Sequence, residues 1–225
     1  MERHLDQELE DLNRQLLKMG SMVETAIFES VEALKELSAE RASQVIQDDK
    51  TIDELENAID EHCLDLLALQ QPMAIDLRFI TMSMNIATDL ERIADLAVDV
   101  AQRVLDLVGK PLLKPLIDIP KLAEVAKKMS RDALDAFVNK DADLAASVIL
   151  HDNEADRLRN LVQKELIEDY MQKNSSTVTR AVPLLLIARH LERICDHATN
   201  IAEDIIYFVK ADVVKHHPEK LEENS

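Results

Sequence analysis

Apolar residues recur three and four positions apart along nearly the whole chain, the period of helices that each bury one face. The pattern predicts about six helical segments. The first covers roughly 2–37, and a second runs on to about 69 from Ser38, which in LSAERAS (37–43) is placed to cap it. Pro72 in QQPM (70–73) breaks the chain before a third helix that ends near 108. GKPLLKPLIDIP (109–120) combines Gly109 as a helix terminator with three prolines and marks a linker. Three more helices follow, at about 120–139, 141–172 and 176–212, with NSST (174–177) supplying cap residues before the last. The tail, residues 214–225, has no periodicity and is expected to fray.

The two sides of the linker repeat each other. LERIAD (90–95) returns as LERICD (191–196). At a spacing of 103, Ala42, Val45, Ile46, Asp49, Asp53 and Leu55 meet Ala145, Val148, Ile149, Asp152, Asp156 and Leu158. At a spacing of 101, Ile86, Ala87, Leu90, Glu91, Arg92, Ile93 and Asp95 meet Ile187, Ala188, Leu191, Glu192, Arg193, Ile194 and Asp196. Asp99 falls opposite Asn200. The change of spacing lies in the turn before each half's third helix, where an insertion is tolerated. The expectation is an all-α fold of two tandem antiparallel three-helix bundles, 1–108 and 120–213, joined by a linker at 109–119.

Composition agrees. Only 2 Gly and 6 Pro interrupt the chain and aromatics make up 3 %, which disfavours strands, while 47 % hydrophobic residues suffice for a core. A net charge of −18 argues against nucleic acid as the main partner and suits cations or basic protein surfaces. Cys63 and Cys195 form no CxxC or secreted framework, so reduced thiols are expected. The charged N-terminus has no apolar leader region, and AVPLLLIA (181–188), the longest apolar run, is too short to span a bilayer.

The repeat keeps acids as well as core residues. Glu91, Asp95 and Asp99 stand at i, i+4 and i+8, a stripe fanned over about 80° of the third helix. Asp49 and Asp53 repeat the spacing on the second helix, and Glu56 extends it. The second copy supplies Asp152 and Asp156, then Glu192, Asp196 and Asn200. Like charges at this spacing cost each helix a few tenths of a kcal/mol, so one stripe alone reads more readily as a solvated face than as a site, with Arg92, Arg103 and Arg193 in reach as counter-ions. Packing does not explain why both stripes persist. Carboxylates converging from two adjacent helices suit Mg, Ca, Mn or Fe, and many of them together can bridge several ions.

These stretches resemble the PhoU family, regulatory proteins of bacterial phosphate uptake. The resemblance is carried by DDKTIDELE (48–56), DLERIADLAVDVA (89–101), PLLKPLIDIP (111–120), HDNEADRL (151–158) and, most specifically, LERICDHATNIAEDIIY (191–207). It implies a cytoplasmic, helical, commonly dimeric protein that binds multinuclear iron or zinc clusters through E(D)xxxD motifs. It implies work with the ATPase subunit of the phosphate ABC transporter and with a phosphate-sensing histidine kinase, as a negative regulator of the starvation response. The implied ligands are Glu91, Asp95 and Asp99 in the first motif and Glu192, Asp196 and Asn200 in the second. Asp49, Asp53, Asp152 and Asp156 are their partners from the neighbouring helix. Asn200 in place of a carboxylate points to unequal affinity in the two halves. Cys195 stands where family members usually carry Gly or Ala, and packing as a small hydrophobe is the favoured reading.

Other residues add less. Glu29 and Glu32, opposite Asp132 and Asp135, either complete the sites or belong to a solvated face. His197 is expected to be a hydrogen-bonded surface histidine, and His216 and His217 to be idle. No nucleophile–base arrangement stands out, and glycines only at 20 and 109 leave no phosphate-cradling loop. The expectation is therefore no enzyme and no phosphate pocket in this chain alone. A metal-free helical scaffold is the alternative; a ferritin-type di-metal oxidoreductase would need Glu-x-x-His motifs that the sequence lacks.

Overall fold

A computed structural model describes residues 4–210, and the expected tail at 214–225, with His216 and His217, lies outside the described residues. The fold is all-α. Six long helices follow in order: α1 (His4–Glu36), α2 (Ala39–Gln70), α3 (Ala74–Leu107), α4 (Asp118–Asn139), α5 (Ala142–Glu165) and α6 (Val178–Lys210). Among the described residues no helix is long and apolar enough to cross a membrane.

Local chemistry sets most of the ends. Ser38 Oγ accepts from the Arg41 amide at 3.2 Å, which caps α2 as its position in the sequence suggests. Gly109 takes φ 77°, the left-handed conformation that ends α3 without a side-chain penalty. Asp141 accepts from the Asp143 and Leu144 amides at 3.0 and 2.9 Å and starts α5. The linker is tied down: Lys114 is buried and pairs with Glu165 at the far end of α5.

The fifth segment does not run on as one α-helix to 172. After Glu165 the backbone widens into a π-helical turn, Leu166–Met171, in which the Gln172 amide donates to the Ile167 carbonyl at 3.0 Å. The extra residue per turn keeps Leu166 fully buried while Tyr170 and Met171 pack against the core. A short 3₁₀ turn, Ser175–Thr177, capped by Asn174, then leads into α6.

Within each half the three helices pack on one another with antiparallel neighbours, as short connections require. The halves do not stay apart. Helix α3 packs on α6 as closely as on α2, and α1 crosses α4. A single core runs from Leu5 to Ile206. Phe79 of α3 stacks on Phe137 of α4 with ring centroids 5.1 Å apart. Gly20 of α1 sits under Leu134 of α4 so closely that a Cβ there would fall 2.2 Å from its Cδ2.

Candidate functional site

Each half carries its acidic stripes on the two helices that follow its first. Around α2 the core takes Ile52 and Ile59, and around α3 it takes Leu90, Ile93 and Ala94, all buried. This rotation leaves half-buried Asp49, Asp53 and Glu56 beside half-buried Glu91 and exposed Asp95. Burial, and then repulsion from Asp95, Glu56, Asp53 and Asp49, pushes the Glu91 carboxyl up to about 7. Asp49 is pushed up to about 6, by burial first and then by Asp53 and Asp95. Asp95 is raised by burial, Asp53 and Asp99. Glu56 is also raised, chiefly by burial and by Asp60, although its carboxylate accepts a 3.4 Å hydrogen bond from Thr88. Asp99 is the outlier: its carboxylate points across to Nδ1 of His190 on α6, at 3.5 Å.

The second face repeats the placement with a different balance of charge. Asp152 is pushed up to about 6 by burial and then by Asp196, Asp156 and Glu192. Asp196 is raised by burial, Glu192 and Asp156, and eased by the neighbouring His197 and Arg193. Between the two helices lies Arg159, whose Nη2 donates to Glu192 at 2.9 Å and to Asp156 at 3.1 Å. Asn200 is half-buried on α6 and adds no charge. Beside Arg159, a cavity of about 310 Å³ is lined by Arg189, Arg193, Glu192 and Asp196.

Of the ten residues singled out in the sequence, Asp49, Asp53, Glu91 and Asp95 come together on one face. Asp152, Asp156, Glu192 and Asp196 come together on the other. Among the described residues no three His, Cys, Asp or Glu side chains gather round one ion position. The faces are open stripes, and closing on a cation requires the carboxylates to turn inward against their mutual repulsion. The donor chemistry of the first face fits a hard or borderline cation: among the described residues no lysine or arginine forms an ion pair with Asp49, Asp53, Glu56, Glu91 or Asp95, and Arg92 acts on Glu56 only from a distance.

Several expected counter-ions serve elsewhere. Arg103 pairs with Asp106 at 2.9 Å and not with Asp99. Asp89 is taken by His197 Nδ1 at 2.9 Å and not by Arg92. His197 is therefore hydrogen-bonded as expected but is no surface residue, since its side chain is 13 % exposed in the seam between α3 and α6. Glu29, Glu32 and Asp132 are paired with Arg41, Lys35 and Lys128 and add nothing to the stripes. Cys195 is fully buried with its thiol pushed far up by that burial, and its Sγ donates to the Leu191 carbonyl at 3.5 Å. It packs, and presents no reactive thiolate. A cleft of about 770 Å³ between α1 and α2 has an apolar floor of Met22, Ala26, Val45 and Ile52; of the stripe residues only Asp49 reaches its rim.

Arg159 is the residue that the sequence reading missed. The signal was present: at the same spacing of 103 that pairs Asp49 with Asp152, Glu56 pairs with Arg159.

The PhoU domain model matches residues 16–104 and, a second time, residues 119–205. The chain belongs to the PhoU family. The two matches correspond to the two halves of the duplication. The phosphate-specific transport system accessory protein PhoU homolog of Aquifex aeolicus is 40 % identical over 212 residues, covering 94 % of this chain and 96 % of that protein. The Escherichia coli K12 phosphate-specific transport system accessory protein PhoU is 32 % identical over 209 residues, 93 % of this chain and 86 % of that one. The crystal structure of PhoU from Pseudomonas aeruginosa superimposes with a TM-score of 0.88 at 38 % identity, covering 93 % of this chain and all of that one. The phosphate transport system regulatory protein PhoU from Streptococcus pneumoniae follows at 0.87, with 30 % identity and 94 % of this chain covered.

Proposed function

We propose that this chain is a regulatory accessory protein of phosphate uptake that holds the phosphate-starvation response off when phosphate is plentiful. In this reading it works in the cytoplasm as a homodimer and bridges the ATPase subunit of a phosphate ABC transporter to a phosphate-sensing histidine kinase. It reaches the membrane only through those partners and performs no catalysis itself. The supporting observation is end-to-end similarity, through both halves, to proteins named as accessory to phosphate-specific transport. Pull-down with the tagged chain from cells grown at high phosphate tests it. Recovery of both the ATPase and the kinase is the expected result, and recovery of neither would sink the reading.

The acidic face of the first half is read as a cation site. Asp49, Asp53, Glu91, Asp95 and Asp99 would hold the ions of the first half, as iron or zinc clusters or as Mg, Mn or Ca. Asp152, Asp156, Glu192, Asp196 and Asn200 occupy the equivalent positions of the second half. Bound cations supply the positive charge that the first face lacks and join α2 to α3. The support is the gathering of Asp49, Asp53, Glu91 and Asp95 on one face without an ion pair to lysine or arginine among the described residues, where burial and their mutual repulsion hold the Glu91 carboxyl up. Metal analysis of the purified protein, with Glu91→Ala and Glu192→Ala alongside, separates this from a metal-free scaffold. No metal in the parent, and no effect of either change, would favour the scaffold.

A further inference from the structure

We propose that Arg159 is the built-in counter-ion of the second acidic face, so that cation binding is confined to the first half of the chain. The inference rests on the cation reading of the first face and deepens it by assigning the two halves different roles.

The two faces occupy equivalent positions and differ in content. The first brings together five carboxylates, Asp49, Asp53, Glu56, Glu91 and Asp95, while Asp99 turns to His190. The second presents four carboxylates and a guanidinium, because Arg159 stands for Glu56 and Asn200 for Asp99. The formal charge is thus −5 against −3. Arg159 is also placed to use its charge. It rises from α5 between the two stripes and donates from one nitrogen to Asp156 on its own helix and to Glu192 on α6. The bond to Glu192 crosses the gap that an ion joining the helices would have to span. Glu192 is only 15 % exposed, so this pair is shielded from solvent more than an ordinary surface salt bridge.

A cation entering the second face must displace a guanidinium already bonded to two of its ligands and then remain beside it. Thr88 of the first half has its own basic replacement, Arg189, lining the cavity next to Arg159. That adds a further repulsive charge. On the first face the corresponding contact is the neutral hydrogen bond from Thr88 to Glu56. Duplication has left one face open to cations and the other closed by an internal one.

Titration of the full chain with Mn²⁺ tests this, with bound ions counted by electron paramagnetic resonance. The parent is expected to lose its binding in Glu91→Gln/Asp95→Asn and to keep it in Glu192→Gln/Asp196→Asn. Glu56→Arg, which copies the second face onto the first, is expected to weaken binding at least about tenfold. Arg159→Glu, the reverse exchange, is expected to add a second set of ions that Glu192→Gln/Asp196→Asn removes. Equal loss from the two parental double variants, or no gain from Arg159→Glu, overturns the inference. Absence of Mn²⁺ from the parent while Arg159→Glu gains it would overturn the reading of the first face and leave Arg159 as the closing group. A metal-free measurement keeps the two separable. Arg159→Ala is expected to lower the melting temperature at pH 8, where Asp156 and Glu192 lose their counter-ion. An unchanged melting temperature at pH 8 overturns the counter-ion role whatever the metal result.

Discussion

At position 195 the chain carries a thiol where its first half carries Ala94, and both side chains are buried in equivalent places. The second core absorbs one extra sulfur, and no reactive group results. Gly20 makes the opposite case. Nothing in its neighbourhood in the sequence distinguishes it from any other helical position, yet Leu134 of the other half rests where its Cβ would be. We expect Gly20→Val to destabilise the protein by about 1–3 kcal/mol, because the added methyls overpack the α1–α4 crossing. Urea unfolding measures this, and a variant as stable as the parent would show that Leu134 has room to turn away. Ser38 was readable as a cap because a cap needs only the next three residues. Gly20 was not readable, because its constraint comes from a helix far along the chain.

The stripes belong to the scale of the element, where their spacing was plain from one strand of text. Tertiary packing changed what the spacing means. With α2 and α3 side by side, burial and mutual repulsion hold Asp49 at about 6 and Glu91 at about 7. Both are carboxyls whose folded values lie above their unfolded ones, so the folded chain binds more protons than the unfolded chain between about pH 4 and pH 7. Stability from these groups is therefore greatest at low pH and falls as pH rises through that window. His190 acts in the other direction, since burial lowers its value and favours its neutral form. We expect the melting temperature of metal-free protein to fall from pH 5 to pH 8, and Glu91→Gln to flatten that fall. A slope unchanged by Glu91→Gln would show that the acid is not strained. At this scale too the fifth helix departed from its periodic reading. Its apolar spacing continues to 172, but burying Leu166 and then turning toward α6 requires a wider turn that periodicity does not record.

For the whole molecule the decisive contact is between α3 and α6. Side-chain hydrogen bonds cross between the halves there, Asp89 to His197 at 2.9 Å and Asn85 to Asp204 at 3.5 Å, and Asp99 stands 3.5 Å from His190. Helix α3 is consequently buried on two sides, and a chain ending at 108 would leave the side that meets α6 in water. We expect such a fragment to aggregate or to melt without a cooperative transition, as followed by circular dichroism, because its core was built for two halves. A sharp reversible transition in the fragment would show that each half is an independent bundle.

The sequence by itself determined the number of helices, their caps, the duplication and the acids that recur within it. Those features depend on local propensity, on a period of 3.6 and on residues that can be counted. Only the tertiary structure decided what the differences between the copies do. Whether a carboxylate stands among other acids or beside a guanidinium depends on which side chain the neighbouring helix brings across the gap. For Glu91 that neighbour set is Asp49, Asp53 and Glu56, and for Glu192 it includes Arg159.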